Sequence, residues 1–122
     1  MENVHLKNAL ACRAVANACH AAAVGRQVDR AILDEPFRRL IQTYRNRQVK
    51  GSLEFLRCYY NELPLLQTKI AQFSNWSLET LYQLVMSGNR FENPSPPCTA
   101  LRLASFMLHS IANHLEELVE QE

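Results

Sequence analysis

The sequence predicts an all-α protein, a compact bundle of about five or six helices forming one domain over residues 1–122. Three observations predict it. Apolar residues recur at three- and four-residue steps along most of the chain, and no segment alternates polar and apolar residues as a strand would. Glycine and proline number three and five and gather at a few breakpoints. The hydrophobic share of 48% and charged share of 20% suit an ordinary globular domain, which excludes disordered and low-complexity classes.

The elements follow in order. Residues 3–24 are rich in Ala and Leu, the strongest helix formers, and Gly25 is a natural stop. Ala9, Cys12, Ala16, Cys19 and Ala23 form a stripe of small side chains that lets a neighbouring helix come close. A short helix is expected from Arg26 to Leu33. Asp34-Glu35-Pro36 then reads as the start of another, with acids at the positive end and proline in the first turn. Phe37, Leu40, Ile41 and Tyr44 are its core face. Gly51-Ser52 breaks the chain, Leu53, Leu56, Tyr60 and Leu63 line the next helix, and Pro64 separates it from Leu65 to Phe73. Ser77 can cap a helix from Leu78 to Ser87 that stops at Gly88-Asn89. Residues 89–98 hold three prolines and form the connector before the last helix, for which Thr99 is the expected cap. Leu101, Ala104, Leu108, Ile111, Leu115 and Leu118 make a bundle or coiled-coil seam on it.

No apolar run reaches the roughly 20 residues of a membrane span, and the N-terminus lacks the order of a signal peptide. Four cysteines in irregular positions do not make a disulfide framework. The expectation is a soluble, cytoplasmic protein without membrane contact.

Charge is distributed unevenly. Residues 1–69 hold 11 of the 13 Lys and Arg against six acids, whereas residues 70–122 hold two Arg against six Glu. Arg38, Arg39, Arg45, Arg47 and Lys50 form a block with no carboxylate among them, and such a block attracts anions even on a nearly neutral protein. With Arg57 these residues are the candidate nucleic-acid contacts, each able to neutralise one phosphate. Arg38 and Arg45 share one flank of their helix, and Arg39 and Lys50 point away from the core. The alternative is a solvated helix face whose arginines pair with the protein's own acids.

Candidate catalytic and metal residues are sparse. His5, Cys12 and Cys19 are spaced by seven, about 10 Å apart along a helix and too far to share a metal. No metal and no cofactor are expected, and the cysteines read as small buried apolar residues. Arg13 precedes His20, and Arg102 precedes His109, each with six residues between. This resembles helical ribonucleases of the HEPN family, in which His serves as acid or base and Arg steadies the developing charge. With ten Arg and four His, about one such spacing arises by chance. Ala14 and Leu103 also stand where those enzymes place a polar residue.

The short all-helical chain and its Arg38–Lys50 strip resemble the small helical subunit of Cascade-type CRISPR effector complexes. That resemblance implies a non-enzymatic protein, present in more than one copy beside other subunits, that holds the guide–target duplex or the displaced strand without sequence specificity. The acidic second half departs from what a strand-lining protein ideally presents. Two further readings stay open. One is an adaptor, chaperone or inhibitor that dimerises through the Leu101–Leu118 seam and grips an acidic protein; the other is the HEPN-like ribonuclease.

Overall fold

Alanine costs a helix least, and the first element rests on it: α1 (Val4–Ala23) has eight alanines in its 20 residues. Its end is a paired C-terminal closure. The Arg26 N–H donates to the Ala21 carbonyl at 2.8 Å and the Gly25 N–H to that of Ala22 at 3.3 Å. This closure requires a left-handed residue between them, and Gly25 supplies it at φ +77. The computed structural model describes residues 4–45, 78–88, 90–92 and 95–121. Among these are four helices and no strand.

The second helix, α2 (Arg30–Arg45), corrects the expected break: Pro36 lies inside it, and no new helix starts at Asp34. The true start is marked by Asp29, whose Oδ1 accepts from the Ala31 N–H at 3.1 Å. Pro36 deprives the Ile32 carbonyl of its helical donor, and Ile32 is 67% exposed, so water can satisfy that group. Helix α3 (Leu78–Met86) stops where expected, with Gly88 at φ +71. Helix α4 (Pro96–Glu120) begins before the expected cap. Its N-cap is Ser95, whose side chain accepts from the Cys98 N–H, and Pro96 and Pro97 fill the first two positions. Proline belongs there because those positions need no amide donor and its φ is already helical.

The chain runs α1 and α4 antiparallel, Arg13 meeting Glu116 at one end and the Cys98 thiol meeting the Ala23 carbonyl at the other. Helix α2 packs on α1, and α3 closes against both. The small stripe of α1 (Ala9, Cys12, Ala16, Cys19, Ala23) is buried throughout. Leu101, Ala104, Leu108, Ile111 and Leu115 of α4 enter the same core, so this part of the seam is consumed within the chain. An adaptor dimerising through it would lack the surface it needs. Phe37 of α2 is fully buried and meets Tyr82 of α3 edge to face, centroids 5.3 Å apart. Cys12, Cys19 and Cys98 are buried free thiols, as expected of small apolar residues, and burial pushes Cys19 up to about 12. The helices expected over 53–63 and 65–73, Cys58, and the side chains of Tyr44 and Leu118 lie outside the described residues. No described helix is long and apolar enough to cross a membrane.

Candidate functional site

Of the six candidate contacts, the structure describes the side chains of Arg38 and Arg39 and the backbone of Arg45; Arg47, Lys50 and Arg57 lie outside the described residues. Arg38 is on the outer face of α2, its side chain 72% exposed, with Nε donating to Asp34 Oδ2 at 2.8 Å one turn back. Asp34 is shared: its Oδ1 accepts from the Tyr82 hydroxyl at 2.7 Å, and that bond raises the Tyr82 pKa. Arg45 follows Arg38 by seven residues, so the two positions align along one row of α2.

Arg39 departs from the outward placement expected of it. It is half-buried, and its Nε donates at 2.9 Å to Oδ1 of Asn8, itself 3% exposed on α1. The reason is reach. Arg39 sits on the flank of α2 that faces α1, and its long stem can cover apolar surface while its head finds a polar partner. This contact satisfies a buried amide oxygen, which fixes Arg39 in the fold.

The Arg–His spacing resolves into one polar cluster between α1 and α4. Arg13 Nε and Nη2 donate to Glu116 Oε1 and Oε2 at 2.8 and 2.9 Å, and Nη2 also reaches Asn113 Oδ1 at 2.6 Å. Arg13 Nη1 lies 3.2 Å from His109 Nδ1. Arginine only donates, so His109 accepts at Nδ1 and carries its neutral-state proton on Nε2. Partial burial lowers the His109 pKa, with further contributions from Arg13 and His20. The hydrogen bond from Arg13 holds the Glu116 carboxyl below its ordinary range, and the same bond raises Arg13. Arg13 and His109 therefore do meet, but across helices, and neither bonds to its expected partner on its own helix in this cluster. The guanidinium is already answered by a carboxylate, so its charge is compensated before any phosphate arrives. Among the described residues no group of His, Cys, Asp or Glu could hold a metal ion.

A third arrangement escaped the sequence reading. Arg26 in the α1–α2 connection, Arg30 at the start of α2 and Arg90 beyond α3 line one cavity of about 350 Å3, and among the described residues no Asp or Glu lines it. Gly25 and Gly88, both left-handed, form part of its wall. The available signal was an arginine directly after one glycine stop and another two residues after the next, in Gly25-Arg26 and Gly88-Asn89-Arg90. Comparison with protein-family models, curated proteins and solved structures finds no match, so the function of these surfaces rests on their own chemistry.

Proposed function

We propose that this chain is a non-enzymatic helical subunit of a nucleoprotein assembly, similar in role to the small subunit of Cascade-type CRISPR effectors, and that it holds nucleic-acid backbone without reading sequence. The outer row of α2 supports this best. Arg38 stands there 72% exposed, Arg45 continues the row, and Leu33, Phe37 and Leu40 anchor the opposite face in the core. A helix anchored in this way holds Arg38 toward solvent, with the Arg45 position one step further along the same row. Asp34 is a weak competitor, because exposed i,i+4 ion pairs contribute only about 0.3–0.5 kcal/mol. A phosphate meeting several cations outbids it through counterion release. The compensated state of Arg13 weighs against the ribonuclease reading.

Fluorescence anisotropy with labelled single-stranded and duplex oligonucleotides, titrated at several salt concentrations, tests the proposal. Binding should weaken steeply with salt. A combined Arg38→Glu, Arg45→Glu and Lys50→Glu variant should lose it while helical circular dichroism persists. Arg39 stays unchanged in that variant because its loss would disturb the fold. Wild-type protein that binds neither probe at low salt, or a variant that binds with unchanged salt slope, refutes the proposal.

A further inference from the structure

We propose that the cavity lined by Arg26, Arg30 and Arg90 is a separate binding site for the terminal phosphate of a nucleotide. Three arginines from three segments line one cavity, and none of its nine described lining residues is a carboxylate. Like charges gathered in this way repel, and an anion of two or more charges relieves the repulsion. The guanidinium fork matches phosphate oxygens in pairs, which an ammonium does not.

The backbone supports the same ligand. Helix α2, 16 residues long, begins at Arg30, so its positive end adds to the field at the cavity edge. The nearest acid in sequence, Asp29, does not line the cavity, and its carboxylate caps the Ala31 N–H. Arg30 lies against Gly88 so closely that a Cβ there would meet its guanidinium. Glycine at 88 is set by its φ of +71, and its bare backbone leaves room for the Arg30 head.

Size and polarity narrow the class. A volume of about 350 Å3 is at the small end of ligand pockets, suited to a mononucleotide and too small for a duplex. Ala22, Val28 and Val85 give the cavity apolar wall against which a ring can lie, and Gln27 offers an amide donor and acceptor. The shared chemistry is a nucleotide ending in phosphate, whether free or at the 5′ end of a strand. The cavity shares no lining residue with the outer row of α2.

Thermal shift and isothermal titration with four probes test it: inorganic phosphate, ADP, a 5′-phosphorylated trinucleotide and the same trinucleotide with a 5′-hydroxyl. The phosphate-terminated nucleotides should raise the Tm and bind at least tenfold more tightly than the 5′-hydroxyl form. The tighter of ADP and the phosphorylated trinucleotide identifies the source. Arg26→Gln with Arg90→Gln, both exposed positions, should keep the unliganded Tm and lose at least tenfold in affinity; Arg26→Lys with Arg90→Lys should restore part of it. The Arg38→Glu, Arg45→Glu and Lys50→Glu variant should bind these probes as wild type does, which separates the two surfaces. No response to any phosphate-bearing probe, equal binding of the two trinucleotides, or undiminished binding by the Gln variant overturns the assignment.

Discussion

Replacing Phe37 by alanine tests whether α2 is held as described. Phe37 is 0% exposed and has the Tyr82 ring against it at 5.3 Å, so truncation removes a full aromatic side chain from the core and leaves a void. Buried Phe→Ala changes cost about 3–5 kcal/mol. That is a large part of the roughly 5–15 kcal/mol that keeps a domain folded. With a urea slope of about 2 kcal/mol per molar for a chain of this size, the midpoint should fall by roughly 2 M at unchanged slope. Ile32, on the same helix but 67% exposed, is the internal control: Ile32→Ala should stay within about 0.5 kcal/mol. Circular dichroism at 222 nm during urea titration reads both. A Phe37→Ala loss below about 1 kcal/mol, or an equal loss at Ile32, would mean that α2 does not bury this face.

Two further perturbations address the polar cluster and the glycine stops. His109 has its pKa lowered below the ordinary 6.5, first by burial, so the unfolded chain binds its proton more readily than the folded one. Its contribution is whole above pH 6.5 and is lost as pH falls through the lower folded value. Glu116, held below 4.5, adds a second loss at more acid pH. Tm measured from pH 7 to 5 should therefore decline, and His109→Gln should flatten that interval; a slope unchanged by the substitution would refute the assignment. Gly25→Ala should cost about 1 kcal/mol from the left-handed backbone alone, because among the described residues nothing lies within 4 Å of the added carbon. Gly88→Ala should cost a similar amount in Tm, since its φ is also left-handed and the exposed Arg30 head can swing aside. A negligible cost at either glycine would contradict the left-handed backbone.

Helix existence was legible where local chemistry and packing agree. The Ala-rich run to Gly25 reads as a helix with its stop, and the small-residue stripe reads as a packing surface because both signals are periodic. Two starts were misplaced because several residues could cap. Asp34-Glu35-Pro36 has the composition of a helix start, yet Asp29 caps earlier and the buried Leu33, Phe37 and Leu40 carry the helix across the proline. Thr99 can also cap, though less well than serine by type, and the two prolines after Ser95 add to the advantage of Ser95. Of the candidate contacts, Arg38 fits its outward placement, while Arg39 depends on where α1 lies, which one helix's periodicity does not encode. The cavity was hidden for the same reason. Arg90 is 60 residues from Arg30, and only the packing of α3 beside α2 brings them together.

The stripe on α1 has a lasting effect on how this chain can change. Ala9, Cys12, Ala16, Cys19 and Ala23 are near the minimum of side-chain volume and no more than 5% exposed, so nearly every substitution there enlarges the residue. Overfilling a tight contact costs about 1–3 kcal/mol, whereas the facing Leu and Ile of α4 can trade places with other aliphatics at lower cost. Drift is therefore one-sided: the long helix can wander in letter while the short side chains stay short. Distant kin of this protein would be recognised by persistent smallness at those five places, even after identity elsewhere has faded.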